Sequence, residues 1–432
     1  MEGRTTTIKV GALARVEGEG ALHVRVRNGE VEDVRLEIYE PPRFFEAFLR
    51  DRPLGDAPDL TSRICGICPI AYQLSACAGI EAALGIEVPE PIRRLRRLIY
   101  CGEWLESHGL HVFFLHAPDF LGYPGAIEMA RDGHAELVER GLRIKKSGNE
   151  LLRVIGGRAV HPINLRVGGF YRAPTRDELA PVAENLKRTR DELVETVRWA
   201  GSLEFPEREL ECELVALHED DRYAIESGRL ISSAGLDIEP DGFSEHVVEE
   251  QVPHSTALHS RLCERGNYVV GPLARYNLNH GTLSPLAHEA ASGAGLGKTC
   301  RNPFQSIVVR CVEMLYAADE ALRLIDSYEP PDPPAVEVEH RAAAGSGWTE
   351  APRGMLWHRY ALRGDGRIES ARIVPPTSQN QASIEDDLRG FVQANLDTGD
   401  EELQWRCEQA VRNYDPCISC STHFLRLDID RG

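Results

Sequence analysis

The sequence predicts an α+β protein: a predominantly helical bundle core with small β-hairpin elements in its N-terminal and C-terminal regions. Three patterns predict this. Leu22, Val24 and Val26 alternate with His23, Arg25 and Arg27, and after Asn28-Gly29 the alternation resumes at Val34, Leu36 and Ile38. A period of two on both sides of Asn-Gly is a hairpin signal, because that dipeptide suits a tight primed turn. From about Pro69 to Asp326 the apolar residues recur at helical spacing instead. Finally, 357–362 and 367–373 flank Gly364-Asp365-Gly366, which predicts a second small hairpin.

The helical elements follow in order. Pro69 fits a first helical position, and the run it opens ends near Gly85. Thr175 and Glu178 form a capping-box pattern ahead of Leu179, Val182, Leu186, Leu193 and Val197 on one face. Ile307, Val308, Val312, Leu315, Leu322 and Ile325 mark another long helix. The run Tyr328-Glu-Pro-Pro-Asp-Pro-Pro334 cannot continue it and reads as an extended connector. A last helix carries Leu403, Cys407 and Val411 and stops at Tyr414-Asp415-Pro416. Long amphipathic helices with apolar stripes are most simply packed as a bundle. The expected organisation is an N-terminal β region over 1–60, a helical core over 61–327, a mixed region over 328–423 and a tail over 424–432.

At 432 residues the chain is large enough for two or three modules or one large fused domain. Its 49 basic and 68 acidic side chains give a net charge of −19, which argues against a nucleic-acid surface. The densest basic run, Arg93, Arg94, Arg96 and Arg97, reads as a solvated or partner-facing helix face. No window has the length of uninterrupted apolar sequence that a membrane span needs, and the opening residues lack an apolar signal core. A cytoplasmic location is expected. The eleven cysteines are then expected to be reduced.

Two Cys-x-x-Cys pairs stand out, Cys65-Gly66-Ile67-Cys68 and Cys417-Ile418-Ser419-Cys420. A zinc ribbon spaces its pairs by about 15–20 residues, so a local knuckle is disfavoured. A four-cysteine clamp joining the chain ends stays open, with zinc, iron–sulfur or a thiophilic nickel or iron site as candidate occupants. Cys68 lies where a helix dipole favours thiolate, the metal-binding form. The remaining cysteines, Cys77, Cys101, Cys212, Cys263, Cys300, Cys311 and Cys407, read as small core residues and form no ferredoxin run. Gly293-Ala-Gly-Leu-Gly-Lys-Thr299 lacks the spacing of a phosphate loop, because residue 292 is Ser, and is given no nucleotide role.

Arg63-Ile-Cys-Gly-Ile-Cys-Pro69 with Asp415-Pro-Cys-Ile-Ser-Cys-Ser-Thr-His423 resembles the paired signature of the large, catalytic subunit of nickel-iron hydrogenases. Arg15-Val-Glu17-Gly18 and Glu350-Ala-Pro-Arg353-Gly354 resemble two further family motifs, in the same order. Glu106-Ser-His-Gly-Leu-His111 and Val374-Pro-Pro-Thr-Ser-Gln-Asn380 look most like the cytoplasmic, multimeric, NAD(P)-linked or sulfhydrogenase group. The resemblance implies the fold of that subunit and the reversible heterolytic cleavage of dihydrogen.

The site residues follow from the same resemblance. Cys65 and Cys417 are the implied terminal nickel ligands, and Cys68 and Cys420 the bridges to an iron carrying CO and cyanide. A terminal thiolate such as Cys417 can act as the base, with Glu17 receiving its proton. Arg353 is implied over the open metal position and Asp415 as its orienting partner. Pro352 and Thr377 are assigned to cofactor binding, Thr377 as the residue that hydrogen-bonds a cyanide. Glu46 and His423 are implied ligands of a structural Mg²⁺. Ser107 departs from the aspartate of many membrane-associated members, so a less acidic surrounding of Arg353 is expected. His108 and His111 read equally as relay or as buried histidines.

With no cluster on this chain, the implied partners are a small subunit carrying iron–sulfur clusters, flavin (diaphorase) and electron-transfer subunits, a maturation endopeptidase and nickel-insertion factors. The endopeptidase is expected to remove 424–432, leaving His423 as the terminus. The competing reading is a metal-clamped structural subunit of a related redox complex, with zinc on the four cysteines. Read without the family, Glu17 is a strand-end carboxylate, Arg353 a turn arginine, and Thr377 and Asp415 turn formers.

Overall fold

In the computed structural model, which describes residues 5–41 and 43–423, the alternating N-terminal stretch forms a three-stranded antiparallel sheet. Strand β1 (Thr5–Val10) pairs with β2 (Gly20–Arg27), which turns through Asn28-Gly29 into β3 (Glu30–Ile38). Both turn residues have positive φ, 55° and 81°, as a primed two-residue turn requires. Strand β1 is additional to the predicted hairpin; its three threonines give no apolar alternation to read. The 424–432 tail, expected to be a propeptide, lies outside the described residues.

The helical reading holds for α1 (Pro69–Leu84), α2 (Glu90–Leu110), α3 (Ala135–Gly156) and α4 (Arg176–Gly201). Pro69 is the first helical residue of α1, and Gly85 ends it at φ 64°. At α4 the capping box is complete: Glu178 N–H donates to Thr175 Oγ1 at 3.2 Å, and Thr175 N–H to Glu178 Oε2 at 2.8 Å. Beyond α4 the chain departs from the expected helices. It forms short strands β4 (Glu213–His218), β5 (Arg229–Ser232), β6 (Val247–Glu250), β7 (His259–Leu262) and β8 (Tyr268–Val269) before helix α5 (Pro272–Asn279). Runs this short carry too few repeats for a period of two to show. Regular packing resumes with α6 (Ser306–Asp326), which lies against α2 and α4.

After the proline-rich connector, β9 (Ala343–Ala351), β10 (Gly354–Leu362) and β11 (Ile368–Val374) form an antiparallel sheet. The predicted hairpin is β10–β11, and β9 joins it by lying on α1 through glycine. A Cβ on Gly347 would fall 2.4 Å from Gly79 N, so only a residue without a side chain permits this approach. Helices α7 (Pro376–Ala394) and α8 (Asp400–Arg412) follow. One apolar core joins α1–α4 and α6; a second seats Val24, Leu36 and Leu22 against Ile384, Leu388 and Val411. No helix among the described residues is long and apolar enough to cross a membrane.

Half of the basic run is not a solvated face. Arg93 and Arg94 are exposed or nearly so, whereas Arg96 and Arg97 are buried. Arg96 forms a two-pronged pair with Glu81 (2.8 and 2.6 Å), and Arg97 binds Glu320 at 2.6 Å and Glu226 at 2.7 Å. Their partners lie far away in sequence, so no local pattern announces the burial. The cysteine reading also needs one correction: Cys263 is exposed and Cys212 half-buried, while the other five spare thiols are buried.

A second buried network supports the later site. Arg275 on α5 donates to both oxygens of Glu313 at 2.8 Å, to Glu350 Oε2 at 3.0 Å, and to the carbonyls of Ala351 and Pro352 at 2.9 Å. Its guanidinium lies 4.6 Å from the Trp104 ring. All three charged groups are inaccessible to solvent, so removing the cation strands two carboxylates. Arg275→Ala is expected to cost about 3–5 kcal/mol, read as a lower denaturation midpoint of the purified complex; a loss below about 1 kcal/mol would contradict this reading.

Candidate metal centre

The two chain ends meet because Glu17 and Cys417 pair side by side as a parallel β-bridge, with Ile418 N–H donating to Glu17 O at 2.9 Å. Gly18 is required at this junction. Its φ is 86°, and a Cβ there would stand 2.6 Å from Glu40 Oε1 and 2.8 Å from Ser419 N. Cys68 precedes the first residue of α1, and Cys417 precedes the short helix Ile418–Ser421 that carries Cys420. Glu103 of α2 accepts from Ile70 N–H at 2.6 Å and Ala71 N–H at 3.1 Å, fixing the first turn of α1 beside the thiols. Nothing local in the sequence marks Glu103 for this task.

Cys65, Cys417 and Cys420 have sulfurs within 4.8 Å of one another, and Cys68 is tied to them through its backbone N–H, which donates to Cys65 Sγ at 3.3 Å. All four are buried. Cys65 Sγ lies 3.6 Å from Cys417 Sγ. This is too long for a disulfide and close to the edge of about 3.7 Å that two thiolates would span on a tetrahedral metal at about 2.3 Å. Hydrogen bonds from Cys417, Cys420 and Cys68 hold the Cys65 thiol well below its usual range. Burial pushes Cys417 well up and Cys420 up to about 11. Ionisation is thus favoured at Cys65 and opposed at the other three, and four buried sulfur donors fit a thiophilic cation. Tyr72 OH, buried without a hydrogen-bond partner, carries the same mark: burial first and the four sulfurs next oppose its ionisation.

Glu17 Oε2 is 3.0 Å from Cys417 Sγ and accepts from Ser419 N–H at 3.1 Å. Thr377, in the first turn of α7, accepts from Cys417 N–H at 3.0 Å. Arg353, 2% exposed, donates through Nε to Asp415 O at 2.8 Å and through Nη2 to Asp415 Oδ1 at 3.1 Å, with Ser107 Oγ 3.4 Å from Nη1. Asp415 adopts φ 50°, a left-handed backbone that an aspartate tolerates. The carbonyl of Pro352 is held by Arg275, so the α5 network sets the backbone from which Arg353 projects. His108 and His111 are both buried. Burial pushes His108 down to about 4, against the opposing pull of Glu313 at 3.0 Å, and His111 well below its usual range. His111 Nε2 is bonded to Arg412 O at 2.8 Å, and Arg412 with Arg15 grips Asp119.

Glu46, on the short helix Phe45–Leu49, accepts from Ile373 N–H at 2.8 Å and lies 3.2 Å from His423 Nε2. A cavity of about 280 Å³ connects this pair to Cys420, between Arg43, Ile64 and Thr422. Glu249 of β6, absent from the sequence reading, faces the same region: burial pushes its carboxyl up, opposed by Arg372 at 2.8 Å and by His423. No motif singles it out. Every predicted site residue is therefore accounted for in two neighbouring groups, one around the sulfurs and one at Glu46 and His423.

Comparison with known proteins gives concordant findings. A family described as nickel-dependent hydrogenase matches residues 43–140 and 294–423. The alpha subunit of sulfhydrogenase 2 from Pyrococcus furiosus is 34% identical, over 97% of this chain and 100% of its own. The beta subunit of the NAD-reducing hydrogenase HoxS from Cupriavidus necator is 27% identical, over 96% of this chain and 94% of its own. A crystal structure of NAD⁺-reducing nickel-iron hydrogenase in the dihydrogen-reduced state superposes with a TM-score of 0.85 at 26% identity, covering 97% of this chain and 99% of that one.

Proposed function

The chain belongs to the nickel-dependent hydrogenase family as a catalytic large subunit, and from that premise we propose how its residues work and with whom. The observation that carries the reading is Cys417, whose sulfur is 3.6 Å from Cys65 and 3.0 Å from Glu17. One atom thereby touches both a metal-donor set and a carboxylate leading outward. A structural zinc clamp accounts for the thiols alone and leaves Glu17 and Arg353 without a task.

Cys65, Cys68, Cys417 and Cys420 would hold a nickel-iron centre bearing CO and cyanide, with Pro352 and Thr377 as further residues that would bind it. When bound, the centre supplies the Lewis acidity and redox capacity for heterolytic cleavage of dihydrogen. Cys417 Sγ takes the proton released, and Glu17 Oε2 relieves it of that proton across a single hydrogen bond. Arg353 presents a permanently charged, rigid donor fork to the reacting space, aimed by Asp415. Glu46 and His423 would hold Mg²⁺, with Glu249 as an adjacent carboxylate. We infer that 424–432 are removed, so that the active chain ends at His423.

Electrons pass to a small subunit carrying iron–sulfur clusters and, through flavin-bearing electron-transfer subunits, to a soluble acceptor such as NAD(P). The sulfhydrogenase and NAD-reducing relatives support this reading. Maturation by an endopeptidase and nickel-insertion factors belongs to the same proposal, as does a cytoplasmic location, in keeping with eleven free thiols. The test is elemental analysis, intact mass and infrared spectroscopy on the complex purified without oxygen. Near-stoichiometric nickel and iron, CO and cyanide bands, and a chain ending at His423 are expected. Zinc alone without those bands would overturn the proposal.

A further inference from the structure

Away from the cysteines, His254, His259 and Glu385 each bring a ligand atom within 4.8 Å of the others. Three separate elements supply them. His254 sits in the connection between β6 and β7, His259 opens β7, and Glu385 lies in the middle of α7. His254 Nε2 is 2.8 Å from Glu385 Oε1, which also accepts from Leu36 N–H of β3 at 2.8 Å. The His254 and His259 rings stand 5.6 Å apart, edge to face. His259 is 2% exposed, and its Nε2 is buried with no hydrogen-bond partner. A buried imidazole nitrogen left unsatisfied is costly, and such exceptions call for a ligand or another explanation.

We propose that His254, His259 and Glu385 bind one divalent transition cation of the zinc type. Two imidazoles and a carboxylate form a donor set that such ions favour over calcium or magnesium, which prefer all-oxygen shells. Donors at about 2.0–2.2 Å from a tetrahedral zinc lie about 3.3–3.5 Å apart, between the 2.8 Å of the present His254–Glu385 contact and the 4.8 Å within which all three ligand atoms lie. Water completes the fourth position.

The site has a structural consequence. The strap over 251–258, which joins β6 to β7 and carries His254, holds the end of the described chain. Thr256 N–H donates to Ile38 O at 2.8 Å, His423 N–H donates to Thr256 O at 2.9 Å, and Ala257 is bridged to Thr422. A cation on His254, His259 and Glu385 ties this strap to α7 and so fixes the strand that seats Thr422 and His423. The proposal stands independently of the hydrogenase reading, because none of its ligands belongs to the cysteine group or to Glu46 and His423.

The test uses the complex with its nickel in place, stripped by a chelator and titrated with zinc alone, beside His254→Ala and Glu385→Gln. These two variants carry the test because His259→Ala empties a buried site and risks misfolding. The wild type is expected to bind one zinc more than either variant, whose zinc affinity falls at least about tenfold. Nickel content should be equal in all three, so loss of this site and loss of the cysteine site are distinguishable. Proteolytic cleavage within 251–258 should rise when the wild type is stripped and fall when zinc is restored. Equal zinc in wild type and both variants, or no uptake by the wild type, overturns the proposal.

Discussion

Glu17→Gln is expected to lower dihydrogen oxidation by about 10²–10⁴-fold, the range for loss of a positioned proton-transfer group, while nickel and iron contents stay at wild-type level. Glutamine matches glutamate in shape, so a side-chain oxygen can still accept from Ser419 N–H, the bond now 3.1 Å long. The bridge between Glu17 and Cys417 is made by backbone atoms and is untouched. What disappears is the ability to take a proton from Cys417 Sγ at 3.0 Å. The variant should therefore fail in turnover and in exchange of dihydrogen label with solvent, yet keep the infrared bands of an assembled centre. Glu17→Asp should recover part of the rate, since the acid remains and only its reach shortens. Activity within about tenfold of wild type, with normal metal content, would reduce Glu17 to a structural role and move the proton route elsewhere.

The contrast between local and distant information explains what could be read beforehand. Pro69, Gly85, Thr175 and Glu178 act within one helical turn of where they sit, and each signals its helix end in the structure. Asn28-Gly29 does the same for its hairpin. Strands β1 and β9 have no such local sign, because a sheet partner and a close-packed helix define them. The arginine run shows the same limit: Arg93 and Arg96 are three residues apart, yet one is exposed and the other buried against Glu81.

At the site, the cysteine pairs are legible because metal chemistry restricts residue type at fixed spacing, whereas Glu17 and Arg353 are singled out only by the family resemblance. The supporting groups are not legible. Glu103, Arg275, Glu313 and Glu249 are ordinary charged residues until tertiary packing gives each a buried partner or neighbour. Their roles come from tertiary contacts that sequence spacing does not encode.

Arg353→Lys is the second large effect, expected to lower turnover by about 10²–10³-fold, the range for loss of one preorganised electrostatic donor. The charge is kept, so a deficit would report geometry. In the present arrangement Nε and Nη2 engage the carbonyl and the carboxylate of Asp415 together, at 2.8 and 3.1 Å, which leaves Nη1 beside Ser107. A planar fork can divide its donors among fixed partners in this way. A lysine ammonium is a point donor on a flexible stem and cannot span both Asp415 acceptors while also facing the sulfurs. Asp415 would then lose a partner inside the protein, and the 415–420 loop would lose part of its anchoring. Because Cys417 and Cys420 are held separately, through Thr377 and the Glu17 bridge, metal content should change little. Comparison with Asp415→Asn separates the two tasks of Arg353. If aiming matters most, both variants should lose activity to a similar degree; if the forward donor matters most, Arg353→Lys should be the worse. A lysine variant within about threefold of wild-type turnover would show that charge alone suffices and that the fork geometry has no catalytic consequence.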